Sequence, residues 1–290
     1  MSAPGSISPV PRPEREEQPQ APTVSIVPSS LSGKTAIVSG SCHGIGAAIV
    51  KELSARGAYV VLNYPDPSLE EAARALQSTL RNPSTAICAD LSTPTGAAHL
   101  VSQALADLSV STIDILVNNA ARIVLKPFDQ LSLADYATMF DLNIRGYFLL
   151  TQAVLPHLPR NNADGTGGGG RIVNLCSGSA RMPGVNQSLY AATKGAIESF
   201  SKGLAVELPA KYGCTVNCVS PGIVETPGMR ASMTPEEWQY IKPQIEQMTP
   251  AGARAGAAEE VAWAVAFLCE ERSRWVNGET MFVTGGLVLG

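Results

Sequence analysis

From Lys34 onward, the sequence alternates short apolar runs with longer segments of helical spacing. The runs are continuously apolar, as in Tyr59-Val60-Val61-Leu62, which is typical of strands buried on both faces of a parallel sheet. Between them, Ile45, Ile49 and Leu53 recur at helical spacing. The alternation predicts right-handed βαβ units in an α/β, doubly wound, Rossmann-like fold with a mostly parallel sheet. The strand candidates are residues 36–38, 59–62, 86–88, 115–117, 172–173, 216–219 and 280–283.

The composition favours one large domain. A chain of 290 residues that is 45% hydrophobic can bury one sizeable core, so residues 31–290 are expected to form a single catalytic domain. Residues 1–30 hold seven prolines and a charged run, which predicts a disordered tail. A net charge of -4 without a basic run excludes an electrostatic nucleic-acid binder. No apolar stretch approaches the roughly 20 residues that cross a bilayer, so we expect a cytoplasmic protein without a membrane partner.

The six cysteines are scattered without metal-ligand spacing, and we expect no metal site. The residues between Cys214 and Cys218, Thr215-Val216-Asn217, are predicted to form a strand, whose two ends lie too far apart for a disulfide. Reduced thiols buried as small hydrophobic groups fit a cytoplasmic protein.

Two segments interrupt the alternation. Residues 161–170 end in four glycines and are predicted to form a mobile surface loop. Residues 226–248 follow a strand and are rich in Met, Pro and Gln. Their position suits a lid over a cleft, and an ordinary helical excursion is the alternative.

A glycine-rich turn follows the first strand and opens the first helix. Gly40 permits a tight turn, Gly44 permits close approach of a phosphate, and Gly46 permits close packing of the helix on the strand. The free N–H groups of the helix N-terminus attract a pyrophosphate, so this turn is a candidate dinucleotide site. The candidate contacts are Gly40, Ser41, His43, Gly44, Ile45 and Gly46.

Tyr190 and Lys194 lie four residues apart in a predicted helix and therefore share one face. An ammonium close to a phenol favours the phenolate, so we expect the pKa of Tyr190 to lie below its usual value. Ser177, delivered from a neighbouring strand end, is placed to bind the same substrate oxygen. By itself the pair is a weak signal, because the spacing is common in helices.

Together, these motifs make the chain resemble a short-chain dehydrogenase/reductase of the compact, single-domain type, from about residue 33 to residue 290. The motifs stand in the family's order, and Ser177 precedes Tyr190 by the family's interval. The residues that carry the resemblance are Gly40, Gly44, Gly46, Asp90, Asn118, Asn119, Ala120, Asn143, Ser177, Tyr190, Lys194, Pro221 and Gly222.

The resemblance implies a role for each position. Tyr190 would be the general acid in reduction, Lys194 would lower its pKa and hold the nicotinamide ribose, and Ser177 would polarise the carbonyl. Asn143 would hold a proton-relay water, although a helical residue bonded only to its own backbone is the alternative. Asp90 would cap the adenine, although it could instead begin a helix, with Ser92 or Thr93 serving equally well as the cap. The other implied cofactor contacts are Leu91, Asn118, Ala120, Pro221, Gly222, Ile223 and Thr226.

The second strand bears on the choice of cofactor. NAD-preferring relatives end this strand with an acid, whereas here it ends in Asn63 and Tyr64. Ser41, His43, Asn63 and Tyr64 are therefore candidates to accept the 2′-phosphate, and we expect NADP(H) to be preferred over NAD(H).

The substrate is less constrained. Ser179, Met182, Met229 and Trp238 are candidate substrate contacts in an adaptable cleft. The chain resembles fungal carbonyl reductases that act on polyketide-like secondary metabolites, which implies a small carbonyl or alcohol substrate. A 3-oxoacyl-thioester reductase and a non-catalytic cofactor sensor or scaffold remain alternatives. The resemblance also implies a homo-oligomer, a dimer or a tetramer.

Overall fold

The computed structural model of the protein describes residues 30–160, 168–231 and 233–289. The predicted tail, except Ser30, lies outside these ranges, as does most of the predicted glycine-rich loop at 161–170. Among the described helices, none combines the length and the hydropathy required to cross a bilayer.

The described residues contain one sheet of seven parallel strands in the order β3-β2-β1-β4-β5-β6-β7. Every strand candidate is confirmed, because each predicted run lies in one strand. The strands are β1 (Thr35–Val38), β2 (Tyr59–Tyr64), β3 (Ser84–Cys88), β4 (Ile115–Asn118), β5 (Arg171–Leu175), β6 (Thr215–Pro221) and β7 (Thr280–Val283).

Helices cover both faces of the sheet. One apolar cluster packs α1 (Gly44–Ala55) and α10 (Ala258–Cys269) on one face, and a second packs α3 (Gly96–Leu108) and α5 (Tyr147–Val154) on the other. The five inner strands are therefore buried on both sides, which explains their largely apolar sequences, whereas the edge strands β3 and β7 are mostly half-buried. The helices are α1 (Gly44–Ala55), α2 (Glu70–Ser78), α3 (Gly96–Leu108), α4 (Leu133–Phe140), α5 (Tyr147–Val154), α6 (Ser188–Glu207), α7 (Pro209–Tyr212), α8 (Pro227–Ala231), α9 (Pro235–Met248) and α10 (Ala258–Cys269).

The strand order reverses between β1 and β4, which are neighbours although two strands separate them in the chain. In doubly wound sheets, the crevice beyond the carboxyl ends of the strands at this point binds ligands. The glycine-rich turn follows β1 and the Asn118–Ala120 segment follows β4, so the fold brings both to this crevice.

Two local features distinguish the elements around the crevice. A π-helical turn at Asp141–Gly146 joins α4 to α5. Such turns are rare in proteins, and those that occur often lie at functional sites. The predicted lid consists of α8 and α9, and Thr234 and Glu237 form a capping box at the start of α9. The lid function remains a prediction.

Candidate active site

The glycine-rich turn leaves no room for a side chain at Gly40 or Gly46. Gly40 has φ 59°, and a Cβ on it would lie 2.9 Å from the Cα of Ala120. A Cβ on Gly46 would lie 2.4 Å from the carbonyl oxygen of Gly40. The start of α1, at Gly44 and Ile45, is thereby held close to β1 with its first N–H groups available. This cradle fits the pyrophosphate of a dinucleotide.

Asn119 fixes the turn from the neighbouring strand. Its Nδ2 donates to the carbonyl oxygens of Ser39 and Gly40, both at 2.9 Å. The Ser39 hydroxyl accepts the N–H groups of Asn119 and Ala120 at 2.9 Å and 3.0 Å. Asn119 carried the family resemblance but was not among the predicted cofactor contacts, and the structure gives it the role of tying β1 to β4.

The end of β2 is enclosed. Asn63 Oδ1 accepts the N–H of Gly40 at 3.1 Å, and its Nδ2 donates to Ala89 O at 2.9 Å. The Ser41 hydroxyl accepts the N–H of Asn63 at 2.9 Å and is fully buried, and only 3% of Tyr64 is exposed. These three side chains, proposed from the sequence as phosphate contacts, hold the glycine turn or pack in the interior. His43 precedes α1 with an exposed side chain that caps nothing, so it alone of the four candidates faces solvent.

The end of β3 is organised by a turn. Asp90 Oδ1 accepts the N–H and hydroxyl of Ser92 at 2.9 Å and 2.7 Å. The Thr93 hydroxyl accepts the N–H of Gly96 at 3.1 Å, so Thr93, not Asp90, supplies a side-chain acceptor to the start of α3. Leu91 is buried, and its carbonyl oxygen lies 2.9 Å from where a Cβ on Gly146 would stand. The β3 end therefore packs against the π-helical turn.

Asn118 lies below the crevice. Its side chain is 1% exposed, and its Nδ2 donates to Asn174 Oδ1 at 2.8 Å and to the Thr151 hydroxyl at 3.2 Å. Asn174 continues the network to the Ser201 hydroxyl of α6 at 2.7 Å. Asn118 therefore links β4 to the elements that carry the catalytic candidates.

The end of β6 closes the opposite side of the crevice. Pro221 ends the strand, and a Cβ on Gly222 would lie 2.9 Å from the Cα of Thr284. The Thr226 hydroxyl accepts the N–H of Met229 at 3.1 Å, and the Thr226 methyl lies 3.4 Å from where a Cβ on Gly44 would stand. The predicted contacts Thr226 and Gly44 are therefore brought together across the crevice.

Ser177 and Tyr190 meet at the end of β5. The Ser177 hydroxyl hydrogen-bonds the Tyr190 phenol and also accepts the N–H of Ser179 at 3.2 Å. Burial raises the pKa of Tyr190 to about 12, although the Ser177 hydrogen bond lowers it. The expectation of a lowered pKa is therefore wrong, because desolvation is the larger effect.

The position of the Lys194 ammonium explains why its charge does not offset the effect of burial on the pKa of Tyr190. Its Nζ donates to Leu175 O at 2.8 Å and lies 5.8 Å from the centre of the Tyr190 ring. Burial lowers the pKa of Lys194 to about 8. The ammonium is directed to a carbonyl oxygen at the strand end, near the ring of Tyr190 but without a hydrogen bond to its phenol oxygen.

Asn143 lies in the π-helical turn and is fully buried. Its Oδ1 accepts the N–H of Arg122 at 2.8 Å, and its Nδ2 donates to Arg122 O at 2.9 Å and to the Thr193 hydroxyl at 3.1 Å. The alternative that Asn143 bonds only to its own helix is therefore wrong. Asn143 connects the loop after β4 to α6, one residue before Lys194.

A cavity of about 150 Å³ opens beside Ser177. An apolar cavity of about this volume holds a benzene-sized ring. The predicted substrate contacts Ser179 and Met182 line it, together with Gln187, Met248 and Leu287. The predicted contacts Met229 and Trp238 are not among its lining residues, and Trp238 instead lies under the Arg230 guanidinium, with 4.2 Å from Cζ to the ring centre.

One corner of the cavity is polar. Gln187 Oε1 accepts the Ser179 hydroxyl at 2.8 Å and the N–H of Gly184 at 3.1 Å. Because its oxygen receives both donors, the amide of Gln187 is fixed and its nitrogen is the group left for a ligand. Sequence reasoning missed Gln187, whose signal was its position three residues before Tyr190. It also missed Leu287, because nothing local indicates that the chain end returns to the cavity.

Comparison with known proteins places the chain among enzymes with this arrangement. A family model described as Enoyl-(Acyl carrier protein) reductase matches residues 40–288. The Short-chain dehydrogenase/reductase FrzI of Cladobotryum sp is 37% identical over 265 residues, covering 90% of this chain and 98% of FrzI. The Hydroxynaphthalene reductase-like protein Arp2 of Metarhizium guizhouense is 36% identical over 277 residues, covering 90% of this chain and 97% of Arp2.

A solved structure has the same fold. The blue fluorescent protein from a metagenomic library, solved in complex with NADPH, superposes with a TM-score of 0.79 at 33% identity. The match covers 90% of this chain and 100% of that protein. The seven-stranded parallel sheet is therefore shared with a protein that binds a nicotinamide cofactor.

Proposed function

Because the chain belongs to the short-chain dehydrogenase/reductase family of nicotinamide-dependent oxidoreductases, we propose that it interconverts a ketone and a secondary alcohol, using NADP(H). The observation that carries the proposal is the convergence of Ser177, Tyr190 and Lys194 at the end of β5. This cluster lies beside a ring-sized cavity.

The proposed chemistry follows from the protonation of the site. Nicotinamide, when bound, supplies the hydride to the carbonyl carbon or accepts it in reverse. Tyr190, whose pKa is raised to about 12, holds its proton at neutral pH and is ready to donate it to the carbonyl oxygen. The Ser177 hydroxyl binds the same oxygen, and Lys194, with a pKa of about 8, remains mostly charged at neutral pH. The protonated Tyr190 is the form that the reduction step uses.

Preference for NADP(H) has two supports. No acidic side chain ends β2, because Asn63 and Tyr64 occupy this position, and the next acid along the chain, Asp66, lies beyond Pro65. His43 is exposed beside the glycine turn and is the side chain placed to meet a phosphate. We expect His43→Ala to weaken NADPH binding more than NADH binding, as measured by fluorescence titration. Equal weakening of both would contradict this role.

We propose a cyclic, polyketide-like ketone as the substrate. The cavity holds one ring, Met182 and Met248 supply an adaptable apolar wall, and Gln187 supplies an N–H donor for a second oxygen substituent. The name of Arp2, a hydroxynaphthalene reductase-like protein, agrees with a cyclic substrate.

A thioester reductase is the second candidate. The matching family model carries the description of an acyl-carrier-protein reductase. In such an activity the cavity beside Ser177 would hold the 3-oxo group, and the carrier arm would extend from the cavity's opening.

We also propose a cytoplasmic homo-oligomer. All six cysteines are free thiols, which suits a reducing compartment. Large apolar side chains are exposed on α4 to α6, namely Leu133, Tyr136, Phe148 and Val206. Light scattering behind a sizing column tests the assembly, and a monomer at micromolar concentration would contradict it.

The function is tested by NADPH oxidation. Purified protein is mixed with NADPH and a panel of one-ring and two-ring ketones, with a 3-oxoacyl thioester as a comparison substrate. We expect loss of the NADPH absorbance with ring ketones and recovery of the secondary alcohol. Turnover of the thioester alone would favour the second candidate, and cofactor binding without turnover would favour a sensor.

A further inference from the structure

The Lys194 ammonium has an aromatic neighbour that the proposed chemistry does not use. Its Nζ lies 5.4 Å from the centre of the Tyr147 ring, closer than the 5.8 Å to Tyr190. Both distances lie within the range of cation–π attraction, which extends to about 6 Å from the ring centre. Among the described residues, no carboxylate forms an ion pair with Lys194. The buried charge is therefore surrounded by a carbonyl oxygen and two ring faces.

Tyr147 is held rigidly at this place. It is the first residue of α5, directly after the π-helical turn that contains Asn143, and it is 2% exposed. Its hydroxyl donates to Leu175 O at 3.3 Å, the same oxygen that accepts from Lys194 at 2.8 Å. A carbonyl oxygen has two lone pairs and can accept both donors. The phenol and the ammonium therefore converge on the last residue of β5, two residues before Ser177.

We propose that Tyr147 is a positioning residue for Lys194: the ring face of Tyr147 keeps the buried ammonium charged and holds it beside the ring of Tyr190. The contact acts through the π-electrons of the ring, and the hydroxyl mainly anchors the ring to Leu175 O. Since a desolvated cation gains more from a ring face than an exposed one, complete burial of both partners strengthens the contact.

The other groups around Lys194 do not replace the ring. Cys176 at the end of β5 and Cys218 on β6 are the titratable neighbours from the sheet, and burial raises the pKa of both thiols, so they remain neutral. On α6 itself, Glu198 is paired with Arg181 and Lys202. The remaining neighbour is Tyr190. Loss of the Tyr147 ring should therefore lower the pKa of Lys194 further below about 8.

The test replaces Tyr147 by phenylalanine and then by phenylalanines with an increasing number of ring fluorines. Fluorine preserves the shape of the ring while it weakens the negative charge on its face, so the series keeps the packing with Ile197 and Cys218. The readout is the titration of Lys194 in protein labelled with ¹³C at the lysine Cε, assigned with the Lys194→Arg variant. Tyr147→Leu is the aliphatic end point.

We expect Tyr147→Phe to titrate like the wild type and each added fluorine to lower the pKa of Lys194. The full effect should be about 0.5 to 1.5 pH units, the equivalent of one desolvated cation–π contact. An unchanged pKa across the fluorinated series would overturn the proposal, as would a shift already complete in Tyr147→Phe, since the hydroxyl would then be responsible.

Although the significance of the contact rests on the proposed function, this readout requires no turnover. Where a ketone is reduced, the basic limb of the kcat profile should move to lower pH along the same series, while KM for the ketone changes little. A chain that reduces no ketone but shows the Lys194 shift would refute the function and leave the positioning role intact.

Discussion

Gly40→Ala tests the glycine turn most sharply, because two separate penalties meet at this residue. A non-glycine residue at φ 59° pays about 1 to 2 kcal/mol for the left-handed backbone. The added Cβ would also lie 2.9 Å from the Cα of Ala120, and overpacking against backbone costs about 1 to 3 kcal/mol. We therefore expect the free energy of unfolding to fall by about 2 to 5 kcal/mol.

Gly33→Ala is the matched control. Gly33 has φ 72°, but a Cβ on it meets nothing within 4 Å, so only the backbone penalty of about 1 to 2 kcal/mol applies. Urea denaturation gives the free energy of unfolding of both variants. In thermal unfolding, Tm should fall by about 2 to 4 °C for each kcal/mol lost, as for a domain of roughly this size. The difference between the two variants isolates the crowding at Ala120.

Cofactor affinity provides the second readout for the same pair. Displacing the turn by a few tenths of an ångström misplaces the N–H groups of α1, so Gly40→Ala should weaken NADPH binding at least about tenfold, or about 1.4 kcal/mol. Gly33→Ala should bind NADPH like the wild type. If Gly40→Ala matched Gly33→Ala in both stability and affinity, the close approach between β1 and β4 would not be a cofactor cradle, and the reasoning would be refuted.

Three further changes test the rest of the site. Gln187→Leu should lower kcat/KM about tenfold for ring ketones with a second oxygen and leave ketones without one nearly unchanged; equal losses would contradict the polar corner. Ser177→Ala should reduce kcat by about 10² to 10³ with unchanged NADPH affinity, and a loss confined to affinity would argue against its role at the carbonyl. A hydrogen bond from Arg181, and a weaker effect of the one from Lys202, lower the pKa of Glu198 from 4.5 to about 2, although burial acts in the opposite direction. The ionised Glu198 therefore stabilises the folded protein fully above pH 4.5, and this stabilisation is lost as the pH falls toward 2. Denaturation of Glu198→Gln between pH 2 and pH 5 should show a smaller acid-side loss than the wild type, and an identical profile would contradict this.

The strands were predictable because burial on both faces leaves a direct record in the sequence. In the run at 59–62, Val60 and Leu62 belong to the apolar cluster on one face of the sheet, and Val61 belongs to the cluster on the other face. The glycine turn was predictable for a related reason, because Gly40 and Gly46 stand where backbone from another element excludes a Cβ. In both cases the residue type responds to its surroundings.

The parts that sequence reasoning missed depend on which surface a residue faces. Asn63 and Tyr64 end β2, and their polar groups suggested phosphate contacts. Asn63 is buried with hydrogen bonds to Gly40 and Ala89, and Tyr64 packs in an apolar cluster with Ala73 of α2. The pKa of Tyr190 was expected to fall because Lys194 is one helical turn away. Spacing could not show that the ammonium donates to Leu175 O, or that Tyr147 lies against it. Both contacts depend on how α5, α6 and β5 pack against one another.

The central claim is that this chain transfers a hydride to a carbonyl carbon while Tyr190 supplies the proton. Incubation with a ring ketone and NADPH deuterated at C4, in each of the two stereochemical forms, followed by mass spectrometry and NMR of the alcohol, tests it directly. We expect one deuterium on the carbinol carbon from one of the two forms, and no labelled alcohol from Tyr190→Phe despite normal NADPH binding. Deuterium on a carbon of a reduced C=C bond, or labelled alcohol formed by Tyr190→Phe at the wild-type rate, would contradict it.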